Sequence, residues 1–215
     1  MAVEVKICGL STPESLRAAV GGGAAYVGFN FFAPSPRAVT PAEAAALTPL
    51  VPDGVIKTGL FVDPEDDDIA AVLAVAKLDL LQLHGTESPE RLAALRQRFG
   101  IPIMKVVKLR HPDDLTTVAD YFEVADRLLF DAKAPEDMIG ALPGGNAVSF
   151  DWGMLAGRQW PLPWMLAGGL TTENLGEAVK VTAAPTVDVS SGVETAPGVK
   201  DPVKIAAFLA AAKAL

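Results

Sequence analysis

Eight short, nearly unbroken apolar runs recur along the chain, and no other feature constrains the fold as much. They are Glu4–Cys8, Ala25–Phe29, Ile56–Val62, Leu78–Leu83, Ile103–Val107, Arg127–Asp131, Pro163–Leu166 and Thr186–Val189. A strand with one wet face alternates apolar and polar residues, whereas runs this continuous are expected of parallel strands covered on both faces. Helix starts lie between them. Ser11-Thr12-Pro13-Glu14 offers Thr12 as a cap with Pro13 at the first helical position, and Thr40-Pro41-Ala42-Glu43 repeats the device. Ser88-Pro89-Glu90, Thr171-Thr172-Glu173-Asn174 and Asp201-Pro202 open further segments, and Asp63–Asp68 reads as a solvated, acidic helix start. Arg91, Arg96 and Arg98 would mostly face solvent, and a short turn after Asp151-Trp152 stands for the sixth helix. Eight strands alternating with eight helical segments predict one α/β domain over residues 1–215, a (β/α)8 TIM barrel. The strand count, with no Gly-x-Gly-x-x-Gly turn after the first run, favours a closed barrel over an open doubly wound sheet.

Charge narrows the partners. A formal charge of −8 and a pI near 4.8 disfavour nucleic acid, which selects basic patches. A small phosphorylated molecule remains possible, because a helix N-terminus is locally positive even in an acidic protein. No apolar run reaches the roughly 18 residues that would cross a bilayer, and no basic stretch precedes an apolar one at the N-terminus. A cytoplasmic protein without membrane partner is the expectation. One cysteine excludes an intrachain disulfide, and one cysteine with two histidines argues against a structural zinc site.

In such barrels the chemistry sits where strands end and βα loops begin. Cys8 closes the first run and Asp131 the sixth, so the two would face each other across the barrel mouth. The pair suits proton transfer at two substrate atoms. The bland readings are a small buried hydrophobe for Cys8 and a helix cap or Lys133 partner for Asp131. Gly168-Gly169 after the seventh run and Ser190-Ser191-Gly192 after the eighth could cradle a phosphate with backbone N–H groups and hydroxyls. Arg37, in the proline-stiffened loop Pro34-Ser35-Pro36, could clasp a carboxylate or simply lie on the surface. Phe29, Phe31 and Phe32 crowd the same loop, either as rim packing or beside an aromatic substrate ring. His84 could donate to a substrate oxygen or tie its own loop down, and His111 before Pro112 reads as structural.

Taken together the motifs are familiar. Val5-Lys6-Ile7-Cys8-Gly9, Gly28-Phe29 with Ser35-Pro36-Arg37, Gly59-Leu60-Phe61-Val62 and Gln82-Leu83-His84-Gly85 come first. Phe130-Asp131, Phe150-Asp151-Trp152, Ala167-Gly168-Gly169-Leu170, Val187 to Glu194 and Pro197-Gly198-Val199-Lys200-Asp201 follow in the same register. Over essentially its whole length the chain resembles the phosphoribosylanthranilate isomerases of tryptophan biosynthesis. The resemblance implies an Amadori rearrangement of N-(5-phosphoribosyl)anthranilate to 1-(o-carboxyphenylamino)-1-deoxyribulose 5-phosphate, with no metal and no organic cofactor. It implies Asp131 as general acid, Cys8 as thiolate base and Arg37 on the anthranilate carboxylate. Gly168, Gly169, Ser190, Ser191 and Gly192 would hold the phosphate, helped by Gly144 and Gly145, with His84 and Asp188 also among the substrate-binding residues. A positive local field would enlarge the thiolate fraction of Cys8. The resemblance allows a monomer or a homodimer. One position departs from it: Ala147 stands where a glycine is common, which bears on the mobility of the loop Gly144–Ser149. The competing readings are an isomerase for a histidine-pathway phosphoribosyl amine and a non-catalytic phosphate-binding barrel. The first would want paired aspartates at the ends of strands one and five, where Cys8 and Val106-Val107-Lys108 stand; the second would want Cys8, Asp131 or Arg37 lost.

Overall fold

The computed structural model describes residues 3–135, 138 and 142–215; Met1 and Ala2, counted in the predicted domain, lie outside them. Eight parallel strands close into a barrel in sequence order: β1 (Glu4–Cys8), β2 (Tyr26–Asn30), β3 (Ile56–Phe61), β4 (Leu80–Leu83), β5 (Ile103–Leu109), β6 (Arg127–Ala132), β7 (Trp164–Leu166) and β8 (Thr186–Val189). Closure is made by β1, which pairs with β2 through Lys6–Cys8 and with β8 through Glu4–Ile7. Each strand falls within a few residues of its predicted run, because the runs are apolar for the reason proposed, burial on both faces.

That double burial produces two separate cores. One face of the strands meets the helices through residues such as Ile7, Val27, Leu81, Phe130 and Val187. The other face fills the barrel with Tyr26, Leu80, Met104, Val106, Leu129, Met165 and Ala167. On β5 and β6 the inward residues alternate, Met104 with Val106 and Leu129 with Asp131, as the two-residue strand period requires.

Helices α1 (Pro13–Gly21), α2 (Pro41–Leu47), α3 (Asp66–Leu73), α4 (Pro89–Phe99), α5 (Leu175–Thr182) and α6 (Pro202–Lys213) cover the outside. The caps read from sequence are in place. Thr12 Oγ1 accepts from Ser15 N, Thr40 and Glu43 form a capping box, and Asp201 accepts from Val203 N. The arginines of α4 are less free than expected: Arg91 and Arg98 both bond Asp66 at the start of α3, and Arg96 bonds Asp126.

Two differences from the predicted alternation have physical causes. After β5 there is no α-helix but two 3-10 turns, Pro112–Leu115 and Val118–Tyr121. Local side chains capture the backbone there: Asp114 accepts from Arg110 N and His111 N, and Thr116 Oγ1 donates to Asp113 O. The second difference is an unpredicted hairpin after β8, β9 (Glu194–Ala196) with β10 (Val199–Lys200), turning at Pro197-Gly198. The expected short turn in place of a sixth helix is present as Trp152–Leu155.

Candidate active site

The C-terminal ends of the strands open into one cavity, about 760 Å3 of empty space when its open mouth is included. Cys8, Arg37, His84, Asp131, Gly144, Gly145, Gly168, Gly169, Asp188, Ser190 and Ser191 all line it. Gly192 does not. It stands where the loops after β7 and β8 meet, and a side chain there would run into the Leu170 carbonyl. Of the three phenylalanines only Phe32 reaches the cavity; Phe29 is core, and Phe31 stacks on Phe61 at 5.1 Å.

On the β1 side, Lys6 and Cys8 both face the barrel interior. Lys6 is fully buried and donates to Asp188 Oδ1 at 2.9 Å, so the carboxylate of Asp188 is engaged by a protein cation. Burial pushes the Cys8 thiol above its ordinary value, against the pull of Lys6 and Lys200. The expected positive field is therefore present, but in the free protein burial outweighs it.

Across the mouth, Asp131 is 7% exposed, and its Oδ1 accepts from Ala132 N at 2.8 Å. His84 Nε2 stands 3.2 Å from Asp131 Oδ2, without the alignment of a hydrogen bond. Gln82 Nε2 lies 3.2 Å from His84 Nδ1. An amide nitrogen can only donate, so this contact makes Nδ1 the acceptor and leaves the proton of a neutral ring on Nε2, towards Asp131. The reading of Asp131 as a partner for Lys133 fails, since Lys133 pairs with Asp114 instead.

Arg37 is not a surface residue. It is 5% exposed and bidentate to Glu194, with Nε to Oε1 and Nη2 to Oε2 both at 2.8 Å. Lys200 donates to the same carboxylate at 2.7 Å. These two cations overcome burial and hold the Glu194 carboxyl below its ordinary range. The stem of Arg37 lies across Gly9, where a Cβ would come within 2.9 Å of its Cδ. Upstream, Asn30 and Ser35 brace the loop: Asn30 Nδ2 donates to Ser35 Oγ, which also accepts from Arg37 N. With the Nε edge of the guanidinium committed, its other edge faces the cavity, where Gly145 O accepts from Nη2 at 3.2 Å.

The loop Gly144–Ser149 lies over these groups. A Cβ on Gly144 would touch His84 and stand 2.9 Å from Asp131 Oδ2, and one on Gly145 would stand 2.5 Å from Arg37 Nη1. Ala147, at the position singled out in the sequence, adopts φ +55, a left-handed conformation that glycine takes without strain. The same loop meets the turn after β7, expected to hold a phosphate, because Gly169 (φ +64) packs on Val148 and Ser149.

Of the hydroxyls expected there, Ser190 Oγ is already committed, donating to Cys8 O and accepting from Lys200 Nζ. Asn174, not singled out in the sequence, fixes the Gly168-Gly169 turn through Gly169 O and Thr171 N. Lys6, Gln82 and Lys200 were also passed over. For Lys6 and Gln82 the available signal was a polar or charged residue inside an otherwise apolar strand, which a buried strand tolerates only when it is partnered.

Comparison with known proteins bears on the whole chain. Residues 5–211 match the family model described as N-(5'-phosphoribosyl)anthranilate (PRA) isomerase. The chain is 58% identical over 214 residues to the N-(5'-phosphoribosyl)anthranilate isomerase of Paracoccus denitrificans, covering 100% of this chain and 99% of that one. Among solved structures it is similar to phosphoribosyl anthranilate isomerase from Thermotoga maritima, with 34% identity, a TM-score of 0.87 and coverage of 99% and 100%. It is also similar to an isomerase solved in complex with reduced 1-(o-carboxyphenylamino)-1-deoxyribulose 5-phosphate, with 32% identity, a TM-score of 0.83 and the same coverage.

Proposed function

The chain belongs to the N-(5'-phosphoribosyl)anthranilate isomerase family, and on that premise we propose how its residues divide the reaction. It is an isomerase of tryptophan biosynthesis, converting N-(5'-phosphoribosyl)anthranilate to 1-(o-carboxyphenylamino)-1-deoxyribulose 5-phosphate. In our reading Asp131, as the neutral acid, protonates the furanose ring oxygen. The bond from that oxygen to C1 breaks, and the anilino nitrogen pushes its lone pair into a C1=N bond. The carboxylate left on Asp131 is met by Ala132 N–H and faced by His84 Nε2. Cys8 thiolate then takes the C2 proton, the C–H electrons form a C1=C2 bond, and the iminium is neutralised to an enolamine. Tautomerisation to the C2 ketone completes the Amadori product.

The two anionic ends of the substrate do the positioning. The free edge of Arg37 takes the anthranilate carboxylate, with Phe32 lining the cavity nearby. The backbone of Gly168-Gly169 and Ser190-Ser191 takes the phosphate. Fixing both ends places C1 and C2 between Cys8 and Asp131, which is catalysis by orientation. Because Gly145 O occupies an Arg37 donor and Gly144 sits over Asp131, the bound substrate displaces this loop from its resting contacts. The cytoplasm is the compartment we assign.

The observation that carries this reading is that Cys8, Asp131, Arg37 and the Gly168-Gly169 and Ser190-Ser191 turns line a single cavity. Turnover can be followed by the change in anthranilate fluorescence. Cys8→Ala and Asp131→Asn should each lower kcat by at least ~10²-fold, the usual scale of acid–base catalysis, with KM nearly kept. Near-native kcat in either variant would sink its assignment.

A further inference from the structure

Lys6 is a cation with no access to solvent, and such a group persists only when its charge is matched. Asp188 on β8 supplies one match at 2.9 Å. The other side of the ammonium faces Cys8. Lys6 and Cys8 are two residues apart on the inward face of β1, and β2 presents Gly28 to both. A Cβ at Gly28 would stand 3.0 Å from Cys8 Sγ and 3.2 Å from Lys6 Nζ, so the two atoms flank one gap that no side chain fills. The charged groups around the thiol are Lys6 on its own strand, Asp188 on β8 and Lys200 on β10, with Glu194 and Arg37 beyond Lys200.

We propose that Lys6 is a positioning residue that favours the ionised form of Cys8, the form that acts as base, and that Asp188 limits how far it does so. The inference rests on the reading of Cys8 as base and gives that reading an electrostatic origin. With Cys8 protonated, Lys6 and Asp188 form a neutral pair; with Cys8 ionised, the ammonium lies between two anions. Lys6 alone would produce a stable but feeble base, since basicity falls as the thiolate is stabilised. Asp188 competes for the same ammonium and returns basicity to the sulfur. The directions of ionisation agree. Burial disfavours the Lys6 ammonium, but Asp188 and Cys8 outweigh it, and its pKa is raised. Burial likewise disfavours the thiolate, Lys6 opposes that, and Asp188 reinforces it.

Cys8 is the only cysteine in the chain, so thiolate ultraviolet absorbance and iodoacetamide alkylation report on it alone. Lys6→Met should move the thiol titration up by about one pH unit or more, and slow alkylation at neutral pH at least ~10-fold. The acid limb of kcat/KM should move up with it. Asp188→Asn should move both the opposite way, whereas damage to a merely structural pair would impair both variants alike. Lys6→Met/Asp188→Leu leaves no lone buried charge and should titrate between the two single variants; it and Asp188→Asn carry the test if Lys6→Met does not fold. A thiol titration that stays put, or that both single variants shift the same way, overturns the inference. If the titration moves as expected while the acid limb stays, the tuning by Lys6 stands and the assignment of Cys8 as base falls.

Discussion

Replacing Glu194 by glutamine tests the link between the unforeseen hairpin and substrate recognition. The wild-type carboxylate is 4% exposed and receives three charge-assisted hydrogen bonds, two from Arg37 at 2.8 Å and one from Lys200 at 2.7 Å. Glutamine keeps the shape, and its single oxygen can still accept one of these bonds. It leaves Arg37 and Lys200, themselves 5% and 2% exposed, facing each other without a counter-charge. Breaking a buried pair costs about 3–5 kcal/mol, and the retained bond argues for the lower end. Urea unfolding at pH 7 should therefore show a loss near ~3 kcal/mol, roughly a 10²-fold change in the unfolding constant. The pH dependence has a fixed sign. Glu194 has a depressed pKa in the folded protein, so its contribution is complete above the unfolded value of about 4.3 and fades as pH falls through the folded value. The gap between wild type and variant should be flat from pH 8 to about 5 and narrow below that. Kinetically, Arg37 loses the clamp that aims its free edge, so KM should rise at least ~10-fold while kcat, which we assign to Cys8 and Asp131, changes far less. A loss under about 1 kcal/mol together with an unchanged KM would refute the claim that Glu194 holds Arg37 in place.

Ala147→Gly should relieve the left-handed strain in the loop over the site, worth about 1 kcal/mol in the closed form before glycine's entropy is counted. Unfolding measurements should show neutral to slightly raised stability; a clear loss would mean that the methyl group packs usefully. Lys105→Met strands the buried Glu87 carboxylate, which holds Lys105 at 2.6 Å and accepts from Asp63 N and Gly85 N, so about 3–5 kcal/mol should be lost. Adding Glu87→Gln should recover part of that loss, and no recovery would argue against charge as its cause.

The barrel was legible because strands buried on both faces are largely apolar, as the runs Ala25–Phe29 and Pro163–Leu166 are. Cys8 and Asp131 were legible because each is a reactive group at the end of such a run. The burial of Arg37 was not, since the carboxylate that buries it lies 157 residues further on and no local pattern links them. Asp188 was placed among the substrate-binding residues, yet its carboxylate holds Lys6, a pairing across 182 residues. The missing helix after β5 was hidden because its competitors, Asp114 and Thr116, look like ordinary polar helix residues until their backbone partners are seen.

The β1–β8 seam has a consequence for biogenesis. Everything between residues 9 and 185 can leave the ribosome and pair in order, each new strand docking on the one before it, yet β1 keeps one edge open until Thr186–Val189 emerges. Closing so long a loop is a late, entropically costly event. Cys8 and Lys6 come from the first strand, Asp188 from the last and Ser190 from just after it, so no nascent intermediate holds the complete apparatus that we propose for proton transfer. Emergence of activity during refolding or synthesis is then a stopwatch for ring closure itself, one that secondary structure, formed well before, would not register.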